Sequence, residues 1–249
     1  TKTLERREIY RELTDGTINV VIGTHALIQD SVIFKKLGLV IIDEQHRFGV
    51  GQRQALINKG DQPDILAMTA TPIPRTLALT VYGDMTVSEI HHLPAGRKPI
   101  ISTWKTSSQM KEVYRQMQEQ LNQGFQIYAV TPLITESETL DLKNAEELHE
   151  KLSHDFPDQK VVLLHGQMPG AQKDEITAAF AAGEINILVT TSVIEVGVDV
   201  ANANMMVIYN ADRFGLSQLH QLRGRIGRGQ TQSYCVFLAD PKTDSVKQE

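Results

Sequence analysis

Two adjacent carboxylates follow four apolar residues: Leu39-Val40-Ile41-Ile42 runs directly into Asp43-Glu44-Gln45-His46. A run that apolar reads as a strand buried on both faces of a parallel sheet, and α/β proteins bind ligands at the carboxyl ends of such strands. At that position Asp43 can hold Mg²⁺ through its water shell. Glu44 can orient and deprotonate an attacking water, which is the division of labour that phosphoryl transfer requires. An isolated Asp-Glu pair more often caps the next helix, so the neighbouring residues must decide. Met68-Thr69-Ala70-Thr71-Pro72-Ile73-Pro74-Arg75 sets the hydroxyls of Thr69 and Thr71 at a second strand end, with Pro72 and Pro74 stiffening the exit and favouring a helix start. Hydroxyls there can relay between a water site and a second ligand.

A third group is cationic. Gln221-Leu222-Arg223-Gly224-Arg225-Ile226-Gly227-Arg228 sets arginines among glycines that let the backbone approach a partner. Arg225 and Arg228 are spaced i, i+3, so on a helix or turn they point the same way. The guanidinium fork stays charged and grips phosphate oxygens two at a time, which suits it to charge developing on a transferring phosphoryl group. The bland alternative, a basic surface patch, is weakened by context: residues 213–239 contain four arginines and no Asp or Glu, inside an acidic half. A fourth group, Val189-Thr190-Thr191-Ser192 followed by Glu195-Val196-Gly197-Val198-Asp199, reads as strand, hydroxyl-rich loop and glycine turn ending in a carboxylate. Its hydroxyls could meet nucleic-acid phosphates and Asp199 a ribose hydroxyl, although each residue alone could be a helix cap or a turn residue.

The elements that must hold these groups are short apolar runs separated by helical patterns. Strands are predicted at Asn19–Ile22, Leu37–Asp43, Asp64–Met68, Gln126–Val130, Val161–Leu164, Ile185–Val189 and Met205–Tyr209, with crossover helices over Ser107–Leu121, Lys143–Leu152 and Pro169–Ala181. Strand-helix alternation gives an α/β fold class. A charged helical segment, Lys2–Leu13, opens the chain. Two prolines, a glycine and two cations around His92–Lys98 and Pro99 break the pattern and place a linker there, dividing the chain into 1–95 and 96–249.

Composition limits what this scaffold can do. The chain has 249 residues, 41% of them hydrophobic, enough for two cores. Its net charge of -5 excludes coating nucleic acid through bulk positive charge, so any such contact must be local. Residues 1–97 carry 11 Lys/Arg against 11 Asp/Glu; subtraction from totals of 25 and 30 leaves 14 against 19 in residues 98–249. The single cysteine, Cys235, allows neither a disulfide framework nor a cysteine-based metal site, which fits a reducing, cytoplasmic compartment. No apolar stretch approaches the roughly 20 residues of a membrane span.

Taken together, Gly23-Thr24-His25, Asp43–His46, Thr69–Thr71, Thr190–Asp199 and Gln221–Arg228 resemble, in order and spacing, motifs Ib, II, III, V and VI of superfamily 2 helicases. The wording of residues 43–50, 69–76 and 215–229 is similar to the RecG and Mfd branch. Gln45, residues 78–84 and Leu93–Pro99 resemble RecG more than Mfd. That resemblance covers essentially the whole chain and implies two RecA-like lobes, each a parallel sheet flanked by helices, with the first lobe truncated at its N-terminus. It implies a DExH-type, ATP- and Mg²⁺-dependent double-stranded DNA translocase, monomeric and nucleoid-associated, that remodels stalled forks and branched recombination intermediates, with single-stranded DNA-binding protein admitted as a partner. The runner-up readings are an Mfd-like transcription-repair translocase and a non-catalytic module binding nucleic acid or a partner.

Carried over residue by residue, the resemblance puts catalysis on Asp43, Glu44, His46, Gln221, Arg225 and Arg228. His46 would couple hydrolysis to DNA, together with Gln221. Nucleotide contacts fall on Asp43, Glu44, Gly197, Asp199, Arg225 and Arg228, with Mg²⁺ on Asp43 and Glu44 when nucleotide is present. DNA-backbone contacts fall on Gly23, Thr24, Thr131, His165, Gly166, Thr190 and Thr191, and coupling on Thr69 and Thr71. Contacts of that kind are independent of base sequence and weaken as salt rises. A phosphate-binding loop Gly-x-x-x-x-Gly-Lys-Ser/Thr occurs nowhere in the sequence. The expectation is therefore a motor fragment that neither binds nor hydrolyses ATP by itself.

Overall fold

In unit Thr1–Met85, the first of two compact units into which the chain divides, a charged helix leads into a minimal β-α-β element; Thr86–Glu249 is the second unit. The computed structural model describes residues 3–45, 48–69, 86–90, 96–132, 138–191 and 200–240. His46, Thr71, Gly197 and Asp199, and residues 92–95 of the expected linker, lie outside the described residues.

Helix α1 (Thr3–Asp15) is tied back to the segment before the first strand. The Lys35 amide donates to the Leu13 carbonyl at 3.1 Å and the Thr14 hydroxyl to the Ile33 carbonyl at 3.3 Å. Strands β1 (Leu39–Ile42) and β2 (Asp64–Ala67) pair in parallel, Leu39 opposite Asp64 and Ile42 opposite Ala67, with α2 (Val50–Ile57) between them in sequence. Gln52 Oε1 accepts the Gly49 amide at 3.1 Å and so closes the N-terminus of α2.

Two expectations fail in this unit. Asn19–Ile22 joins no ladder; Val20 and Ile22 are 78% and 95% exposed. An apolar run becomes a strand only where a partner satisfies its backbone, and none of the described residues offers one. Nor is β1 buried on both faces: Val40 and Ile42 are buried, whereas Leu39 and Ile41 stay more than half exposed. Among the described residues this two-stranded sheet has a covering layer on one side only.

The second unit is a six-stranded, wholly parallel sheet in the order β3-β8-β7-β4-β6-β5. Its strands are β3 (Ile101–Lys105), β4 (Gln126–Thr131), β5 (Val161–Leu164), β6 (Ile187–Thr191), β7 (Ala203–Ile208) and β8 (Tyr234–Leu238). Every residue of β4, β6 and β7 is buried, as their unbroken apolar runs require. Alternate side chains feed two cores. Ile127, Ala129, Met205 and Val207 meet Val113, Met117 and Leu121 of α3 (Met110–Asn122) and Leu148 and Leu152 of α4 (Glu138–Asp155). Tyr128, Val130, Met206 and Ile208 meet Phe180 of α5 (Gly170–Ala181) and Leu222 of α6 (Leu216–Arg223). Helices thus cover both faces, and the α/β class with RecA-like layering holds.

Three local details depart from the sequence reading. The expected strand at Ile185–Val189 starts two residues later, because the Ile185 carbonyl is taken by Gln126 Nε2 at 2.7 Å, which also donates to the Phe180 carbonyl. This buried amide replaces the ladder at that point. Edge strand β3 and strand β8 were absent from the predicted set; no residue of β3 is buried, and Ile101 and Trp104 are left about half exposed at the sheet's edge. Finally, α4 is longer than Lys143–Leu152 at both ends.

Candidate ATPase and DNA-facing sites

In the first unit, the carboxyl ends of β1 and β2 bring Asp43, Glu44 and Thr69 to one edge. The Met68 amide donates to the Ile42 carbonyl at 2.8 Å, and the Gln45 amide to the Met68 carbonyl at 3.0 Å, so the carboxylate loop is sewn to the residue before Thr69. Asp43 is exposed and its Oδ1 accepts the Glu44 amide at 2.8 Å. Glu44 has φ +48°, the left-handed region that non-glycine residues enter at a cost, and its Oε2 is shut off from solvent. Strain of this kind is retained where surrounding contacts over-determine the backbone, and it collects at functional sites. Gln45 is buried, and its carbonyl accepts the Phe48 amide at 3.0 Å.

One exposed carboxylate at a strand end suits Mg²⁺, which takes one or two protein carboxylates and fills its octahedron with water and phosphate oxygens. No group of three metal-ligating side chains occurs among the described residues. Asp43 and Glu44 therefore fit a magnesium that arrives with nucleotide. The motif Gly-x-x-x-x-Gly-Lys-Ser/Thr, whose backbone amides cradle nucleotide phosphates, does not occur in the sequence.

Gly23 and Thr24 are exposed in an extended segment that enters a single 3-10 turn, His25–Ile28. They line, with Asp43 and Glu44, one groove of about 1050 Å³ whose walls include Val20, Ile22 and Phe48.

In the second unit, the carboxyl edge gathers the other candidates. Thr131 of β4 lies opposite Thr191 of β6, and Thr190 opposite Leu164 of β5, so His165 follows immediately beside Thr191. Thr131, Thr190 and Thr191 are buried; the Thr190 hydroxyl donates to the Thr191 carbonyl at 3.0 Å. Thr131 Oγ1 and His165 Nδ1 are buried without a hydrogen-bond partner among the described residues. Gly166 is exposed.

The arginines occupy a turn rather than a helix. Gln218 Oε1 accepts the Gly215 amide at 3.0 Å to start α6, which carries Gln221 and stops at Arg223 with Gly224 as its cap. Buried Leu222 and Ile226 anchor the turn in the core, while Arg225 and Arg228 remain partly exposed on either side of Gly227. Gly227 has φ +73°, and a β-carbon there would sit 2.8 Å from Ile100 Cγ1. Gly227→Ala is expected to destabilise this unit by about 1–3 kcal/mol through left-handed strain alone, with the Ile100 clash added. A urea midpoint equal to that of the parent sequence would show that the turn is not fixed in this way. Arg223 Nη2 lies 3.2 Å from His220 Nδ1 and belongs to the helix end rather than to the pair. Cys235 is no nucleophile: burial pushes its thiol up to about 12, with Arg223 opposing only in part.

Comparison with known proteins gives each of these two sets of residues a family context. Residues 100–230 match the model described as helicase conserved C-terminal domain, and residues 1–80 match the DEAD/DEAH box helicase model. The chain belongs to the helicase family. The chain is 56% identical over 99% of its length to the ATP-dependent DNA helicase RecG of Streptococcus pneumoniae, and 55% identical over 98% to that of Staphylococcus epidermidis. It spans 37% and 36% of those proteins. A solved structure described as RecG bound to a three-way DNA junction superimposes with a TM-score of 0.74 at 46% identity, covering all of this chain and 32% of that one. Both helicase family models are therefore represented in the chain, and its relatives are named as ATP-dependent DNA helicases. No helix among the described residues is long and apolar enough to cross a membrane.

Two residues that the sequence reading gave no role, Gln45 and Phe48, turn out to fix the carboxylate loop. The one available signal was a polar residue and a large aromatic standing just beyond two carboxylates.

Proposed function

We infer that the chain is the motor portion of a longer ATP-dependent double-stranded DNA translocase that remodels stalled forks and branched recombination intermediates. The observation that carries this reading is the 56% identity, over 99% of the chain, to a protein named ATP-dependent DNA helicase RecG. Residues 1–95 are assigned to the C-terminal part of a first RecA-like domain and 96–249 to a second.

Bound Mg-ATP supplies the phosphoryl group and a metal that neutralises its charge. Asp43 would hold that metal, and Glu44 would orient and deprotonate the attacking water. Arg225 and Arg228 stabilise charge on the transferring phosphoryl group, and His46 with Gln221 links hydrolysis to DNA. Gly197 and Asp199 contact the nucleotide, and Thr69 and Thr71 transmit its state. Gly23, Thr24, His165 and Gly166 offer backbone and imidazole groups to DNA phosphates, with Thr131, Thr190 and Thr191 forming the strand ends behind the second set. The protein acts in the cytoplasm as a monomer on branched DNA, with single-stranded DNA-binding protein admitted as a partner.

The 249 residues by themselves are inactive, since they contain no loop to grip the β- and γ-phosphates. The test compares the longer protein with this chain in ATP hydrolysis, with and without a synthetic fork. The longer protein should be stimulated by the fork while this chain gives no turnover above background. A longer protein indifferent to forked DNA would overturn the reading.

A further inference from the structure

The His25 imidazole lies face to face with the Phe48 ring, centroids 4.3 Å apart and planes inclined by 14°. This contact bridges two segments that the proposed function puts to different uses. His25 opens the 3-10 turn immediately after Gly23-Thr24, where the Leu27 amide donates to the Thr24 carbonyl at 3.0 Å. Phe48 closes the turn that begins at the strained Glu44: its amide donates to the Gln45 carbonyl, and Gln45 is itself held by the Met68 carbonyl. Both rings line the same groove as Thr24, Asp43 and Glu44. A displacement of the Gly23–Thr24 segment thus has a short route to the carboxylates: one stacked pair and the Phe48 amide bonded to Gln45.

We propose that His25 and Phe48 are positioning residues that transmit occupancy of the Gly23–Thr24 segment to the Asp43–Glu44 loop. The proposal rests on the reading of the chain as a DNA-stimulated ATPase motor. Neither ring touches the reacting atoms. Aromatic pairs favour offset-stacked and edge-to-face arrangements, so displacing one ring favours a shift of the other. A coupling of this kind appears as a change in the effect of one ligand on events at another site, with a size of at least several-fold.

The test uses the longer protein and the variants Phe48→Leu, Phe48→Tyr and His25→Phe. Phe48→Leu should lower the ratio of DNA-saturated to DNA-free ATP turnover by about fivefold or more, with the DNA dissociation constant changed less than twofold. Phe48→Tyr and His25→Phe, which keep two stacked rings, should hold that ratio within twofold of the parent. Hydrogen exchange gives a readout independent of turnover: in Phe48→Leu, the amides of residues 24–27 should exchange faster. A ratio preserved in Phe48→Leu, or a ratio lost equally in the ring-preserving variants, overturns the proposal. So does unchanged exchange at residues 24–27. If the parent protein shows no DNA stimulation yet exchange still quickens, the motor reading fails and the mechanical link between the segments stands.

Discussion

Glu44→Gln in the longer protein is expected to lower DNA-stimulated ATP turnover by about 10²- to 10⁴-fold while leaving the DNA dissociation constant within about twofold of the parent. The amide fills the same volume and tolerates the same left-handed backbone, so folding is preserved. What it loses is the ability to take a proton from water. Asp43 is not expected to substitute, because its Oδ1 already accepts the Glu44 amide and its carboxylate is the one proposed to hold the metal. Single-turnover hydrolysis with saturating forked DNA measures the effect directly. Turnover near the parent value would remove Glu44 from the role of general base.

The second large effect is expected at Arg228. Arg228→Ala should lower DNA-stimulated turnover by about 10³- to 10⁵-fold, the range over which an arginine acting on a transferring phosphoryl group contributes. Arg228→Lys should recover little of this, since an ammonium keeps the charge but not the planar fork. The backbone around Arg228 is set by the left-handed Gly227 before it and by Gly229 after it, where a β-carbon would stand 2.8 Å from the Ala201 carbonyl oxygen. Removing the side chain should therefore leave the turn in place, and DNA binding with it. Turnover unaffected by Arg228→Ala would return the arginines to the status of a basic surface patch.

The sequence exposed the second unit's sheet because apolar runs such as Ile127–Val130 and Met205–Ile208 are buried on both faces, and two-sided burial leaves no polar residues to confuse the pattern. It exposed Asp43 and Glu44 because a carboxylate pair is conspicuous after four apolar residues. Asn19–Ile22 carries the same apolar signal and forms no strand, since hydrophobicity records a residue's preference for burial and says nothing about a neighbour's backbone. Strand β3 escaped for the opposite reason: an edge strand such as Ile101–Lys105 mixes Ser, Thr and Lys with apolar residues and reads like a loop. The site's finer geometry was illegible in principle. That Thr131 stands opposite Thr191 is a matter of register between strands about 60 residues apart in sequence. That His25 reaches Phe48 depends on how an extended segment folds over a neighbouring turn. The i, i+3 spacing of Arg225 and Arg228 suggested a shared direction, but the helix stops at Arg223, and it is Gly227 that shapes the backbone between them.

The left-handed backbone at Glu44 sets folding against chemistry at a single position. A glycine would hold a φ of +48° freely and relax the loop, so a search for more stable variants guided by backbone geometry alone would choose it. That choice would discard the carboxylate. If Glu44 has the proposed role, position 44 is one that thermostabilising designs must leave untouched, and stability has to be sought elsewhere in this unit.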